Sequence, residues 1–256
     1  MRQSRGVMYE LYYWPGIPGR GEFIRLALED AGADYIDVGQ RDGAGAVARS
    51  LYDDTTGPPF APPALRIDGI GMVSQVANIL RVTGHDLGLA SDNAAEDAFC
   101  HGLQLTLSDF VAEIHDTHHP LGPDLYYEDQ TSEAKHRAAL FRASRLPKFL
   151  SYFEQVTATN TAAPWLVGAD ATTADLSLFQ ILAGLRYAFP TAMASLNDAI
   201  PNLNTLHDAV AARPGIAAYL VSDRRQPFNQ HGIFRQYPEL DGDSSPARDD
   251  DACNLA

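Results

Sequence analysis

The chain has 256 residues and a formal net charge of −14 at neutral pH, which excludes a broadly basic groove for nucleic acid. Hydrophobic residues at 45% against charged residues at 20% describe an ordinary globular protein rather than a disordered one. No run reaches the ~18 apolar residues of a membrane span, and residues 1–9 hold two arginines but no apolar secretory core.

Residues 9–14 are aromatic and apolar and predict a strand. The cluster Pro15-Gly16-Ile17-Pro18-Gly19 ends it. Phe23, Ile24, Ala27, Leu28 and Ala31 then follow helical spacing, with Gly32 as the stop. Residues 35–38 predict a second strand, so the chain opens as a βαβ unit with a parallel pair. Residues 39–60 hold Gly43, Gly45 and Gly57-Pro58-Pro59 and read as loop, with at most one helical turn. Residues 64–67 and 70–73 flank Asp68-Gly69 as a hairpin, and 75–82 carry helical spacing up to Gly84.

Beyond the polar linker 85–93, a natural boundary, no strand is expected. Residues 94–115, 132–156, 172–189 and 203–221 all show helical periodicity, separated by proline or glycine clusters. The expected organisation is a βαβ-ββα domain over 1–84, an all-helical domain over 92–240 and an acidic tail over 241–256. From Glu239 onward, Glu239, Asp241, Asp243, Asp249, Asp250 and Asp251 face one Arg248, which predicts a mobile, solubilising end.

The two cysteines, Cys100 in a helical run and Cys253 in the tail, form no disulfide framework and fit a reducing, cytoplasmic compartment. His115 and His119 have the i, i+4 spacing of helical metal ligands. Pro120 ends the helix there and no third ligand is evident, so no metal is expected. Thr172-x-x-Asp175 reads as a capping box with a structural role.

Four segments, taken together and in order, carry a family resemblance. Residues 12–25 (YYWPGIPGRGEFIR) resemble the opening of the tyrosine-type cytosolic glutathione transferases, nearest the sigma and mu classes. Residues 63–69 (PALRIDG) with 72–75 (MVSQ) resemble that family's proline, hairpin and glutamine. Val167-Gly168 with residues 172–175 (TTAD) resembles its helical-domain capping box, and residues 212–219 (ARPGIAAY) its later helical segment. The resemblance spans about residues 8–225. It implies a thioredoxin-like α/β N-terminal domain that binds glutathione, followed by an all-α domain that holds a hydrophobic electrophile. It also implies a two-fold homodimer and no metal, membrane or nucleic-acid partner.

The resemblance assigns roles residue by residue. Glutathione carries a thiol of pKa near ~8.5, and only its thiolate is a strong nucleophile. A tyrosine hydroxyl that hydrogen-bonds the sulfur favours the thiolate. Tyr13 matches the catalytic tyrosine and Trp14 follows it. Tyr12 points to the opposite face of the strand, and the loop before Ile24-Arg25 is one residue longer than the mu pattern. Pro63 matches a proline held in cis. Pro62, before it, has a carbonyl but no N–H for the cysteinyl backbone of glutathione. Gln75 matches the residue that holds the γ-glutamyl carboxylate. The serine expected after it is Val76, and Ser74 precedes it instead. Trp14, Arg20, Arg41 and Arg49 are candidates for the glycyl carboxylate. His115, His119 and Tyr126 fall where the family lines its electrophile pocket. The implied activity is conjugation. The alternatives are a glutathione-dependent isomerase or peroxidase on the same site, or a non-catalytic ligand-binding relative.

Overall fold

The structure is a computed structural model that describes residues 9–52, 57–162 and 164–242. Strand β1 (Tyr9–Tyr12) runs parallel to β2 (Tyr35–Asp37), with Tyr9 opposite Tyr35. On its other side β1 runs antiparallel to β3 (Ala64–Ile67), with Tyr12 opposite Ala64, and β3 pairs antiparallel with β4 (Gly71–Ser74). The sheet order is therefore β2-β1-β3-β4. Helices α1 (Glu22–Asp30) and α4 (Val76–Gly84) complete the expected βαβ-ββα domain. Strand alternation decides which tyrosine goes inside. Tyr9, Leu11 and Tyr13 are buried, whereas Tyr12 is half-buried and donates its hydroxyl to Glu10 Oε2 at 3.0 Å.

Residues 39–60 differ from the expected loop. Two short helices occupy them, α2 (Val38–Asp42) and α3 (Ala44–Ser50). Their glycines hide them from propensity. What starts α2 is the Asp37 carboxylate, which accepts from the Gln40 N–H at 3.1 Å.

The second domain is helical throughout its described residues. Helix α5 (Ala94–Asp116) is capped by Asn93, whose side chain accepts from the Ala95 N–H at 2.9 Å. The helix expected over 132–156 is α6 (Thr131–Leu140), a π-helical turn (Phe141–Arg145) and α7 (Leu146–Thr159) in succession. The π turn lies just ahead of Pro147, which has no N–H to continue the ladder. Helix α8 (Thr173–Ala188) begins at the capping box. Thr172 N–H and Oγ1 each donate to Asp175 Oδ2 at 2.7 Å, and Leu166 N–H donates to Oδ1 at 2.7 Å. Helix α9 (Pro190–Leu196) follows. The helix expected over 203–221 is two, α10 (Pro201–Ala211) and α11 (Pro214–Leu220). Pro214 forces the break by driving Arg213 to an extended ψ of 133°.

The acidic stretch also departs from expectation at its start. Helix α12 (Pro238–Asp241) is docked, with Leu240 and Asp241 buried. Asp241 accepts from the Thr191 and Ala192 N–H groups at 2.7 and 3.1 Å, filling the vacant donors at the start of α9. Residues 243–256, including Cys253, lie outside the described residues. Cys100 is a buried free thiol, and burial raises its pKa.

Helix α1 joins the two domains. Ile24 and Leu28 pack into the sheet core, while Phe23, Leu26 and Ala27 pack into the large helical core. Three carboxylates along α1 meet three arginines of the helical domain. Arg213 grips Asp30 through two bonds of 2.7 Å, and Arg224 grips Glu29 at 2.8 and 2.7 Å. Glu22, wholly buried, accepts from Arg225, from Tyr219 Oη at 2.7 Å and from Arg25 Nη1 at 3.2 Å. Arg25 in turn bonds Asp37 Oδ2 at 2.7 Å. Gly215 lets α11 approach, since a Cβ there would sit 2.5 Å from the Glu29 carbonyl oxygen.

Candidate functional site

A cleft of about 370 Å³ opens between the domains, within the range of small-molecule sites. The sheet domain supplies Arg20, Phe23, the Phe60-Ala61-Pro62-Pro63 turn, Gln75 and Val76. The helical domain supplies Gln104, Leu107, Ser108 and Val111. Those four recur at i, i+3, i+4 and i+7 on α5, so one helix face forms that wall. Helical spacing could have marked this face, but nothing in the sequence says what it faces.

Three of the expected elements meet here. The Pro62–Pro63 peptide is cis. Gln75 has φ of +69°, a left-handed conformation that a glutamine adopts only at a cost of about 1–3 kcal/mol. That conformation turns the chain sharply from β4 into α4 and leaves Gln75 and Val76 on the cleft wall at the helix N-terminus. The free N–H groups of a first helical turn favour an anion. Arg20 is a half-buried guanidinium on the same wall.

Tyr13 lies beneath this wall rather than on it. Its side chain is 5% exposed, and its hydroxyl oxygen accepts from the Arg20 N–H at 2.8 Å. The hydroxyl proton is not used by that bond. Burial raises its pKa, against the opposing pull of the Arg20 N–H, so the phenol is a donor at neutral pH. Two glycines make the fit possible. A Cβ at Gly19 would lie 2.1 Å from the Tyr13 oxygen, and one at Gly21 would lie 2.5 Å from its ring. The spacing Gly19-Arg20-Gly21 was the readable signal for this enclosure.

Other candidates stand elsewhere. Trp14 is half-buried against the sheet core, Arg49 is exposed on α3, and exposed Arg41 pairs with Asp42 at 2.6 Å. Ser74 ends β4, with its carbonyl accepting from Asn78 Nδ2 at 3.2 Å. None of these four lines the cleft. Tyr126 is 77% exposed, so it is no part of the wall. The buried tyrosine of that loop is Tyr127, stacked 3.8 Å from Tyr237 and bonded to Glu239 at 2.8 Å.

The histidines form a cluster at the end of α5. Ring centroids of His115, His118 and His119 are 4.8–5.2 Å apart. His118 Nε2 donates to the Ile233 carbonyl at 2.8 Å, and His119 Nδ1 accepts from Gln130 Nε2 at 3.2 Å. Burial lowers all three pKa values, His118 to about 2 and His119 to about 4. His119 is thereby committed to Gln130. His115 remains a candidate for the cleft's outer end, because it lies one helical turn beyond Val111. No group of three or more ligating side chains suited to a metal occurs among the described residues.

Residues 222–237 form a strap over this end. Phe234 packs into the space left by Gly184, and Phe228 stacks 5.1 Å from Tyr187. Asn229 Nδ2 donates to the Gly16 carbonyl at 2.8 Å, tying the strap to the loop that encloses Tyr13.

Comparison with known proteins agrees with this architecture. Residues 115–223 match the family of the glutathione S-transferase C-terminal domain. No curated protein sequence matches the chain. Among solved structures, the fold resembles a monomeric glutathione S-transferase of the hookworm Necator americanus (22% identity, TM-score 0.66, 86% of this chain and 100% of that one). It also resembles the Pi-class enzyme of Onchocerca volvulus (24%, 0.65, 83% and 91%) and the prostaglandin synthase D of Nilaparvata lugens (22%, 0.65, 86% and 100%). At these identities the likeness is one of fold. The resemblance to the cytosolic glutathione transferases is thus borne out, by sequence over residues 115–223 and by fold across the described chain.

Proposed function

We propose that this chain, whose residues 115–223 match the glutathione S-transferase C-terminal domain and whose fold resembles that of glutathione transferases, conjugates glutathione to a hydrophobic electrophile. The observation that carries this reading is the joint placement of Pro62-Pro63, Gln75 and Arg20 around one cleft, with the Tyr13 hydroxyl bonded to Arg20's own backbone. The N-terminus of α4 and Gln75 would receive the γ-glutamyl carboxylate. The Pro62 carbonyl would accept from the cysteinyl N–H. Val76 and Pro62 each remove one polar contact, so glutathione is held by fewer bonds than the family pattern provides.

Tyr13 is assigned as the donor to the sulfur, which requires its hydroxyl proton to turn toward the cleft past Arg20. The thiolate then attacks an electrophilic carbon. A C–S bond forms, and the displaced group leaves with its electron pair. Leu107 and Val111 supply the apolar wall for the electrophile, and His115, one helical turn further along α5, is the candidate for its outer end.

One observation favours a second reading, ligand binding without catalysis: the depth at which Gly19 and Gly21 enclose Tyr13. Tyr13→Phe separates the two. Under the transferase reading the bound thiol's pKa rises by about one unit and turnover falls about tenfold, on the scale of ~1.4 kcal/mol per unit. Thiolate absorbance and rate unchanged in the variant would move the donor's role from Tyr13 to Tyr12, Ser74 or a backbone N–H, whereas glutathione bound with neither thiolate absorbance nor turnover, in wild type and variant alike, would transfer the chain to the second reading. We further assign a two-fold homodimer in the cytoplasm, which would cover the exposed apolar side chains Phe60, Phe99, Leu105 and Tyr152. A monomer mass at micromolar concentration in sedimentation equilibrium would remove the dimer.

A further inference from the structure

Two arginines stand near the outer end of the cleft. Arg20 lines the cleft, and the strap carries the half-buried Arg235 past the loop that leads into Arg20. Gly232 on the strap lies against Pro18 and Gly19, where an added Cβ would be 3.9 Å from Pro18 Cδ and 4.0 Å from the Gly19 nitrogen. Arg235 Nε donates to the Gly232 carbonyl at 2.9 Å, which fixes its guanidinium beside the loop that ends in Arg20. His115, one turn beyond the cleft-lining Val111, feels both charges: after burial, Arg20 and Arg235 each help to lower its pKa.

Neither guanidinium is paired with a carboxylate among the described residues, in contrast to Arg213, Arg224 and Arg225 at the domain seam. The acid nearest His115 is the half-exposed Asp116, with Oδ1 3.4 Å from His115 Nδ1. His115, His118 and His119 are held neutral and compete for no anion. The corner is therefore positive in a chain of net charge −14. It adjoins an apolar wall of Phe23, Leu107 and Val111. A guanidinium recognises a carboxylate through two parallel N–H bonds, and an apolar wall recognises the rest of such a molecule.

We propose that Arg235, together with Arg20, forms a carboxylate-binding subsite for the second substrate, so that the preferred electrophile is an apolar molecule bearing a carboxylate. This rests on the transferase reading and deepens it. The carboxylate is held but not altered; the bonds made and broken are at the electrophilic carbon, as above.

The test compares 4-chloro-3-nitrobenzoate with its methyl ester as electrophiles for glutathione, in wild type, Arg235→Gln and Arg235→Lys. The expected result is that Arg235→Gln raises KM for the benzoate about tenfold, the lower end for losing a charge-assisted bond. The ester should move less than twofold, and Arg235→Lys should recover part of the loss. Equal shifts for both substrates, or none for either, would overturn the subsite. If neither substrate is turned over, the transferase reading fails on its own. The subsite is then read by calorimetry with unreactive 3-nitrobenzoate and nitrobenzene. Benzoate binding weakened by Arg235→Gln, with nitrobenzene unaffected, still supports it; equal or absent binding of the two overturns it.

Discussion

The seam between the domains and the cleft beside it are built from the same residue types to opposite ends. At the seam, Glu22, Glu29 and Asp30 on α1 are each matched to an arginine, two of them through paired bonds near 2.7 Å. Around the cleft, the Arg20 and Arg235 guanidiniums have no carboxylate partner among the described residues, the Tyr13 hydroxyl proton is not used by its bond with the Arg20 N–H, and Gln75 is held at a strained φ. The seam spends its charges on fixing one domain against the other. The cleft keeps its charges for a ligand, and the rigidity of the seam is what allows it to do so.

The largest test of this contrast is Arg25→Ala. It removes the buried cation between Glu22 and Asp37 and should destabilise the protein by about 3–5 kcal/mol in chemical denaturation, because it leaves buried carboxylates short of a partner. A loss below about 1 kcal/mol would mean that Arg225 alone satisfies Glu22, and that the seam is a weaker joint than its geometry implies.

An intermediate effect concerns pH. His118 is buried and neutral, with a folded pKa near 2 against an ordinary value of 6.5. Between those values the unfolded chain binds the extra proton. Stability should therefore rise with pH through this window and be lost as pH falls below 6.5. At pH 5 the cost is about 2 kcal/mol at ~1.4 kcal/mol per pH unit. His118→Gln should flatten the stability-versus-pH slope by about one proton. An unchanged slope would show that the strap contact at Ile233 tolerates a charged imidazole.

The smallest effect belongs to the cleft itself. Val76→Ser adds a hydroxyl at the start of α4, where a carboxylate is expected, and should tighten glutathione binding severalfold, the value of about one hydrogen bond. No change in a calorimetric titration would mean that Gln75 and the helix N–H groups already satisfy the carboxylate.

Much of the frame was legible in advance. The order βαβ-ββα, the hairpin around Asp68-Gly69 and the capping box at Thr172 and Asp175 all follow from local pattern. The boundaries that moved did so for local reasons as well. Pro214 split one expected helix, Pro147 accompanied a π turn in another, and Asp37 capped a helix within a glycine-rich stretch. The candidate site was legible only where a residue's place is set by its own chain neighbours. Pro62, Pro63, Gln75 and Val76 are of that kind. His119 and Tyr126 are not: one is claimed by Gln130 and the other is left in solvent by the fold of a loop.

By itself the sequence determined the element order, the strand parity that sends Tyr12 and Tyr13 to opposite faces, and the turn that brings Gln75 to the head of α4. These depend on periodicity, on caps and on the limits of φ, all of which act within a few residues. Only the tertiary structure decided that one face of α5 closes the cleft, that the strap carrying Arg235 passes the loop leading into Arg20, and that Asp241 docks onto α9. Those outcomes depend on which face finds which partner across tens to hundreds of residues, and no local pattern carries that choice.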